Sequence, residues 1–96
     1  MTPRLEARIR SDFAPDDAAL VSDELDALEL PLIDGPAPER IQAAIVVLAG
    51  GDLARFDEAV RIARVDWRDV LVASGLGNVD WPARLDLELG ADGDVG

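Results

Sequence analysis

An all-α fold, one compact domain of four or five short helices, is predicted by three features of the sequence. Apolar residues recur at intervals of three and four along most of its length. Prolines and aspartates stand immediately before those periodic segments, and glycines stand immediately after them. The 96 residues suit one core rather than two, and a 49% hydrophobic content beside 30% charged residues describes a chain that buries a core and stays soluble. The domain is expected over residues 1–90, with 91–96 a disordered tail.

The first segment reads two ways. Leu5, Ala7 and Ile9 fit a strand, whereas Leu5, Ile9 and Phe13 fit one face of a helix. Thr2 before Pro3 and a Glu6–Arg10 pair one turn apart favour helix. The second segment starts at Pro15, with Asp16 and Asp17 at the positive end of the helix dipole, and Ala18, Val21, Leu25 and Leu28 share a face before Pro31 stops it.

Residues 31–38 hold three prolines and one glycine and read as a stiff connection, with Leu32 and Ile33 expected to pack on the body. A helix over 39–49 follows. Its face of Ile41, Ala44, Ile45 and Leu48, widened by Val46 and Val47, is apolar nearly all round, the pattern of a central buried helix; Gly50-Gly51 stops it.

Asp52 is placed to cap a helix over 52–64 that carries Leu53, Phe56, Ala59, Val60 and Ala63, with Asp57 and Arg61 set to pair. Packed as a helical hairpin, this helix lies beside the central one. Asp66 caps a shorter helix with Trp67, Val70 and Leu71; after Gly75, Leu76 is positioned to fold back onto Leu71. Asp80 is the expected cap of a last helix, through Trp81, Pro82, Leu85 and Leu89, ending at Gly90. The string from Arg40 through Pro82 resembles small bacterial-type helical proteins, without pointing to a named family.

Composition removes whole classes of chemistry. The chain has no His, Cys, Lys or Tyr, so disulfides, thiolate metal sites and a base-activated serine are all absent from its repertoire. Ser11, Ser22 and Ser74 read as cap, surface and local hydrogen-bonding residues. Carboxylates are abundant, yet Asp16, Asp23 and Asp26 lie off the Val21–Leu25 face, as a solvated surface would. Asp92-Gly93-Asp94 resembles the start of a calcium loop without the remaining ligands, and Gly50-Gly51-Asp52 lacks the Lys of a phosphate loop. No catalytic residue, metal or cofactor is expected.

The net charge is -11 and unevenly spread: residues 1–10 carry +2, 11–39 carry -9 and 40–96 carry -4. Phosphate backbones are repelled by such a surface. A helix-turn-helix reader is likewise disfavoured, because residues 81–89 set Asp86 and Glu88 against Arg84 alone. No apolar run approaches a membrane span, and a cytoplasmic location is the default expectation.

By elimination, the sequence points to a non-catalytic, acidic protein-interaction or regulatory module. Trp67 and Trp81, with Arg68 and Arg84 close behind them, form the expected partner-binding patch, since Trp and Arg dominate binding hot spots. Self-association into a homodimer is a second way to supplement so small a core. The rival reading is an acidic nucleic-acid mimic, in which the carboxylates of residues 12–29 fill a basic groove on a DNA-binding protein.

Overall fold

The computed structural model describes residues 2–28 and 38–90, and within them the chain is all helix and turn. Among the described residues there are six helices rather than four or five: α1 (Pro3–Asp12), α2 (Pro15–Ala27), α3 (Pro38–Ala49), α4 (Leu53–Val65), α5 (Trp67–Ser74) and α6 (Trp81–Leu89). The six match the segments read from the sequence one for one, and the count exceeds five because the ambiguous opening segment is a helix. Leu32, Ile33 and the expected tail at 91–96 lie outside the described residues.

Burial decides the opening segment. Leu5 and Ile9 are wholly buried and Phe13 nearly so, while Ala7, which only a strand period would place beside them, is exposed. The 3.6-residue period therefore wins. Pro3, Pro15 and Pro38 each stand at the first residue of their helix, where the missing N–H costs nothing.

The centre of the fold is α3. Ile41, Ala43, Ala44, Ile45, Val46 and Ala49 are buried, and α3 packs on α1, α4, α5 and α6. Three alanines in that stretch let neighbouring backbones approach closely, which is how a 12-residue helix serves four partners. By contrast α2 packs chiefly on α1, and the Gln42 amide donates to the Leu25 carbonyl to tie it to α3.

Local chemistry sets the boundaries. The Asp52 carboxylate accepts from the Ala54 and Arg55 amides at 2.8 and 3.2 Å, capping α4 as its position predicts. Asp66 accepts from the Arg68 amide at 3.1 Å, and its extended backbone breaks the chain between α4 and α5. At the end of α5 the Leu76 amide reaches the Leu71 carbonyl at 2.9 Å and the Gly75 amide reaches Val72 at 3.2 Å, with Gly75 left-handed at φ 83°. Leu76 is wholly buried there, as the cap motif requires.

Two local expectations fail. Asp80 makes no side-chain cap to α6, because its backbone (φ -89°, ψ 15°) departs from the extended geometry that aims a capping carboxylate at the next amides. Arg61 pairs with Glu58, one turn back at three residues, rather than with Asp57.

Candidate functional site

The four residues of the expected patch do not form one constellation. Trp67 opens α5, half-buried against the core, and the Arg68 guanidinium lies 5.8 Å from its ring centroid. Asp66 completes this small network by accepting from Arg68 Nε at 3.2 Å. The Arg68 backbone amide first, and its guanidinium second, hold the Asp66 carboxyl below the usual carboxylate range. Around this corner the apolar surface is open: Val65 at the end of α4 is 84% exposed and Val72 on α5 is 75% exposed.

Trp81 is different. Its ring is stacked not by Arg84 but by Arg40 of α3, at 4.4 Å from the centroid, while Arg40 Nε donates to the Leu76 carbonyl at 2.8 Å. Burial pushes the Arg40 guanidinium below its ordinary pKa. Arg84 instead lies over Gly75, where a Cβ would come within 2.9 Å of its Nη2. The aromatic of α6 is thus fastened to α3, with Val79 and Leu87 exposed beside it, whereas Trp67 is covered only by the exposed Arg68, with Val65 and Val72 exposed around it.

Sequence reasoning missed a larger polar assembly centred on α1. Arg4 makes a two-nitrogen pair with Glu39 at the start of α3, with Nε to Oε2 at 2.9 Å and Nη2 to Oε1 at 2.7 Å. Its Nη1 also reaches Asp86 at 2.7 Å and the Gly90 carbonyl at 2.8 Å. One turn on, Arg8 donates to Asp12 at 2.8 Å, to the Glu88 carbonyl at 2.7 Å and to the Glu88 carboxylate at 3.0 Å. The Thr2 hydroxyl donates to Glu39 instead of capping α1. The i,i+4 spacing of Arg8 and Asp12 was a readable signal; the partners on α3 and α6 had none.

The electrostatics of this assembly follow from the contacts. The hydrogen bond with Glu39 raises the Arg4 guanidinium above its ordinary value against the desolvation it suffers. On Arg8 burial opposes the charge, and the bonds to Asp12 and Glu88 outweigh it, for a net rise. Glu39 is held below its usual carboxyl range, first by the Arg4 hydrogen bond, against burial, with help from Thr2.

A lowered folded pKa means that Glu39 stabilises the protein fully above its unfolded value of about 4.3 and loses that contribution as pH falls below it. Replacing it in Glu39→Gln is expected to cost about 1.5–3 kcal/mol at pH 7, the range for a hydrogen bond to a charged group. Urea titrations across pH should show the gap between wild type and variant level near neutrality and narrowing below about pH 4.3. A gap unchanged down to pH 3 would assign the cost to packing rather than to charge.

The remaining acids are arranged as a surface. Five carboxylates and no base lie along α2, and Asp16, Asp23, Glu24 and Asp26 are exposed. Among the described residues no three carboxylates gather into a metal-holding group. Ser74 is the buried serine, and its hydroxyl donates to the Leu71 carbonyl at 3.1 Å, a local role. An open groove of about 430 Å³ runs between α1 and α2, lined by Glu6, Arg10, Pro15, Ala18, Ala19 and Ser22. Glu6 and Arg10 face each other there at 3.9 Å, as their spacing predicts. Among the described residues no helix is long and apolar enough to cross a membrane. No protein-family model matches the chain, and no curated protein or solved structure is significantly similar to it.

Proposed function

We propose that the chain is a small acidic, non-catalytic protein-interaction module that meets its partner at the α4–α5 corner. The observation that carries this reading is the exposure of Val65 and Val72, at 84% and 75%, on either side of the Trp67–Arg68 pair. An aromatic with one face on the core, a planar cation over it and aliphatic side chains standing in water supply the chemistry of an interface centre. The non-catalytic part of the proposal rests on composition: proton transfer and nucleophilic attack would fall to carboxylates, three serines and one threonine.

A second reading is favoured by α2, four of whose five carboxylates are exposed, with no base on the same helix. In this reading the acidic face mimics a nucleic-acid backbone for a basic protein. The two readings separate by salt and by site. Capture from a lysate of the native source, at roughly 0.1 M and roughly 0.5 M salt, is compared for wild type, a Val65→Ser/Arg68→Ala/Val72→Ser variant, and an Asp16→Asn/Asp23→Asn/Glu24→Gln variant. All the altered side chains are surface ones, and circular dichroism verifies the fold of each. A stoichiometric partner kept at high salt and lost only in the first variant is the expected result. Basic proteins captured at low salt only, and lost only in the second, would replace the corner by the acidic face.

A further inference from the structure

We propose that α6 is a releasable lid, held shut on α1 and α3 by the arginines of α1, and that ionic strength controls its release. Unlike α3, α6 has little apolar anchorage. Leu85 is its one buried residue, with Trp81 and Leu89 half-buried beside it, against six buried residues on α3. Its first turn has no side-chain cap, and Val79 just before it is fully exposed. What fastens the helix is polar. Arg4 grips Asp86 and the Gly90 carbonyl, Arg8 grips the Glu88 carboxylate and carbonyl, and Arg40 stacks on Trp81.

The clamp is built so that it can open without stranding a charge. Arg4 keeps its two-nitrogen pair with Glu39 and Arg8 keeps Asp12, both on the body of the molecule, when Asp86 and Glu88 leave. Opening therefore forgoes interactions with α6 but leaves no unpaired guanidinium, the penalty that ordinarily locks a partly buried ion pair. The departing carboxylates are also the accessible ones: the Asp86 and Glu88 side chains are 52% and 31% exposed, against 17% and 19% for Glu39 and Asp12. Mobile ions reach and screen the lid side of each arginine before the body side. Release uncovers the strip of α1 and α3 beneath Trp81, Leu85 and Leu89, a surface separate from the α4–α5 corner.

Amide hydrogen exchange of the full chain at neutral pH tests this directly. Between roughly 0.05 M and roughly 0.5 M salt, the amides of residues 84–90 are expected to exchange about tenfold faster, while those of α3 keep their rates. An Asp86→Asn/Glu88→Gln variant, which leaves Arg4–Glu39 and Arg8–Asp12 in place, should exchange rapidly over 84–90 at low salt and respond no further to added salt. Acrylamide quenching of Trp81 in a Trp67→Phe background should rise in parallel. Exchange of α6 in the same event and at the same rate as α3, or rates over 84–90 indifferent to both salt and the double substitution, would overturn the proposal.

Discussion

Phe56→Ala is expected to destabilise the protein by about 3–5 kcal/mol, the range for truncating a fully buried aromatic. Phe56 is completely buried on α4, and its ring meets that of Phe13 edge-on, with centroids 6.3 Å apart and planes at 79°. That contact joins α4 to the residue that ends α1, so the substitution empties buried space at this junction. A domain of this length has a total stability of roughly 5–14 kcal/mol, and the variant would sit near the folding threshold at the low end of that range. Urea denaturation followed by far-UV circular dichroism measures the loss. Phe13→Leu serves as the graded control: it keeps an apolar side chain and forfeits the ring geometry, for about 1 kcal/mol. A loss below about 1.5 kcal/mol for Phe56→Ala would mean that the site collapses to fill the void, and that the junction of α1 with α4 is loosely packed.

What was legible in the sequence is what depends on neighbours in the chain. The period of Ile41, Ala44 and Ile45 placed α3 at the centre, and its contacts with four helices bear that out. Asp52 and Asp66 were readable as caps because the amides they accept from lie two or three residues on. The cap at Leu76 was readable for the same reason. Asp80 shows the limit of such reasoning, since its residue type suits a cap but its backbone angles do not deliver the carboxylate. The tryptophan partners show it more strongly. Arg84 was the natural candidate for Trp81 by spacing, yet the helix turns it toward Gly75 and Arg40 arrives from another helix. Arg4 carries no local signal of its three partners, Glu39 on α3, Asp86 on α6 and Gly90 just after it, all distant in sequence. The candidate site was half visible for this reason: Trp67 and Arg68 are adjacent in the chain, whereas the groups that immobilise Trp81 are gathered by tertiary packing.

The same distinction alters the charge argument. Composition gives nine arginines against twenty acids, but the arginines are not equally available. Arg4 and Arg8 are occupied between helices, and Arg40 lies under Trp81 with its headgroup on a backbone carbonyl. Positive charge is thus spent inside the fold while Asp16, Asp23 and Glu24 on α2 face solvent. The exposed surface of α2 is more acidic than the sequence average, and the α4–α5 corner, with Arg68 and two exposed valines, is less so. On the proposed reading, an interaction that survives salt belongs at the second place and one that salt dissolves belongs at the first.

Gly51→Ala is expected to cost about 2–4 kcal/mol, and Gly50→Ala about 1 kcal/mol, although the two glycines are adjacent in one turn. Both have positive φ, 55° at Gly50 and 83° at Gly51, so a side chain is strained at either. Only Gly51 adds a collision: a Cβ there would stand 2.6 Å from the Asp12 carbonyl oxygen, whereas nothing lies within 4 Å of one at Gly50. The obstruction is backbone, which cannot swing aside as a side-chain tip can. Relief requires the α3–α4 turn to lift away from the end of α1, and with it Asp12, whose carboxylate holds Arg8. Thermal melts of the two variants compare strain alone with strain plus contact. The excess loss at Gly51 measures how firmly the turn is seated on α1, and in the Gly51→Ala background Asp12→Asn should cost less than it does in the parent protein. Equal losses at the two glycines would mean that the turn yields freely, and that α1 is held to the rest of the fold by Arg4, Arg8 and its buried face rather than by this contact.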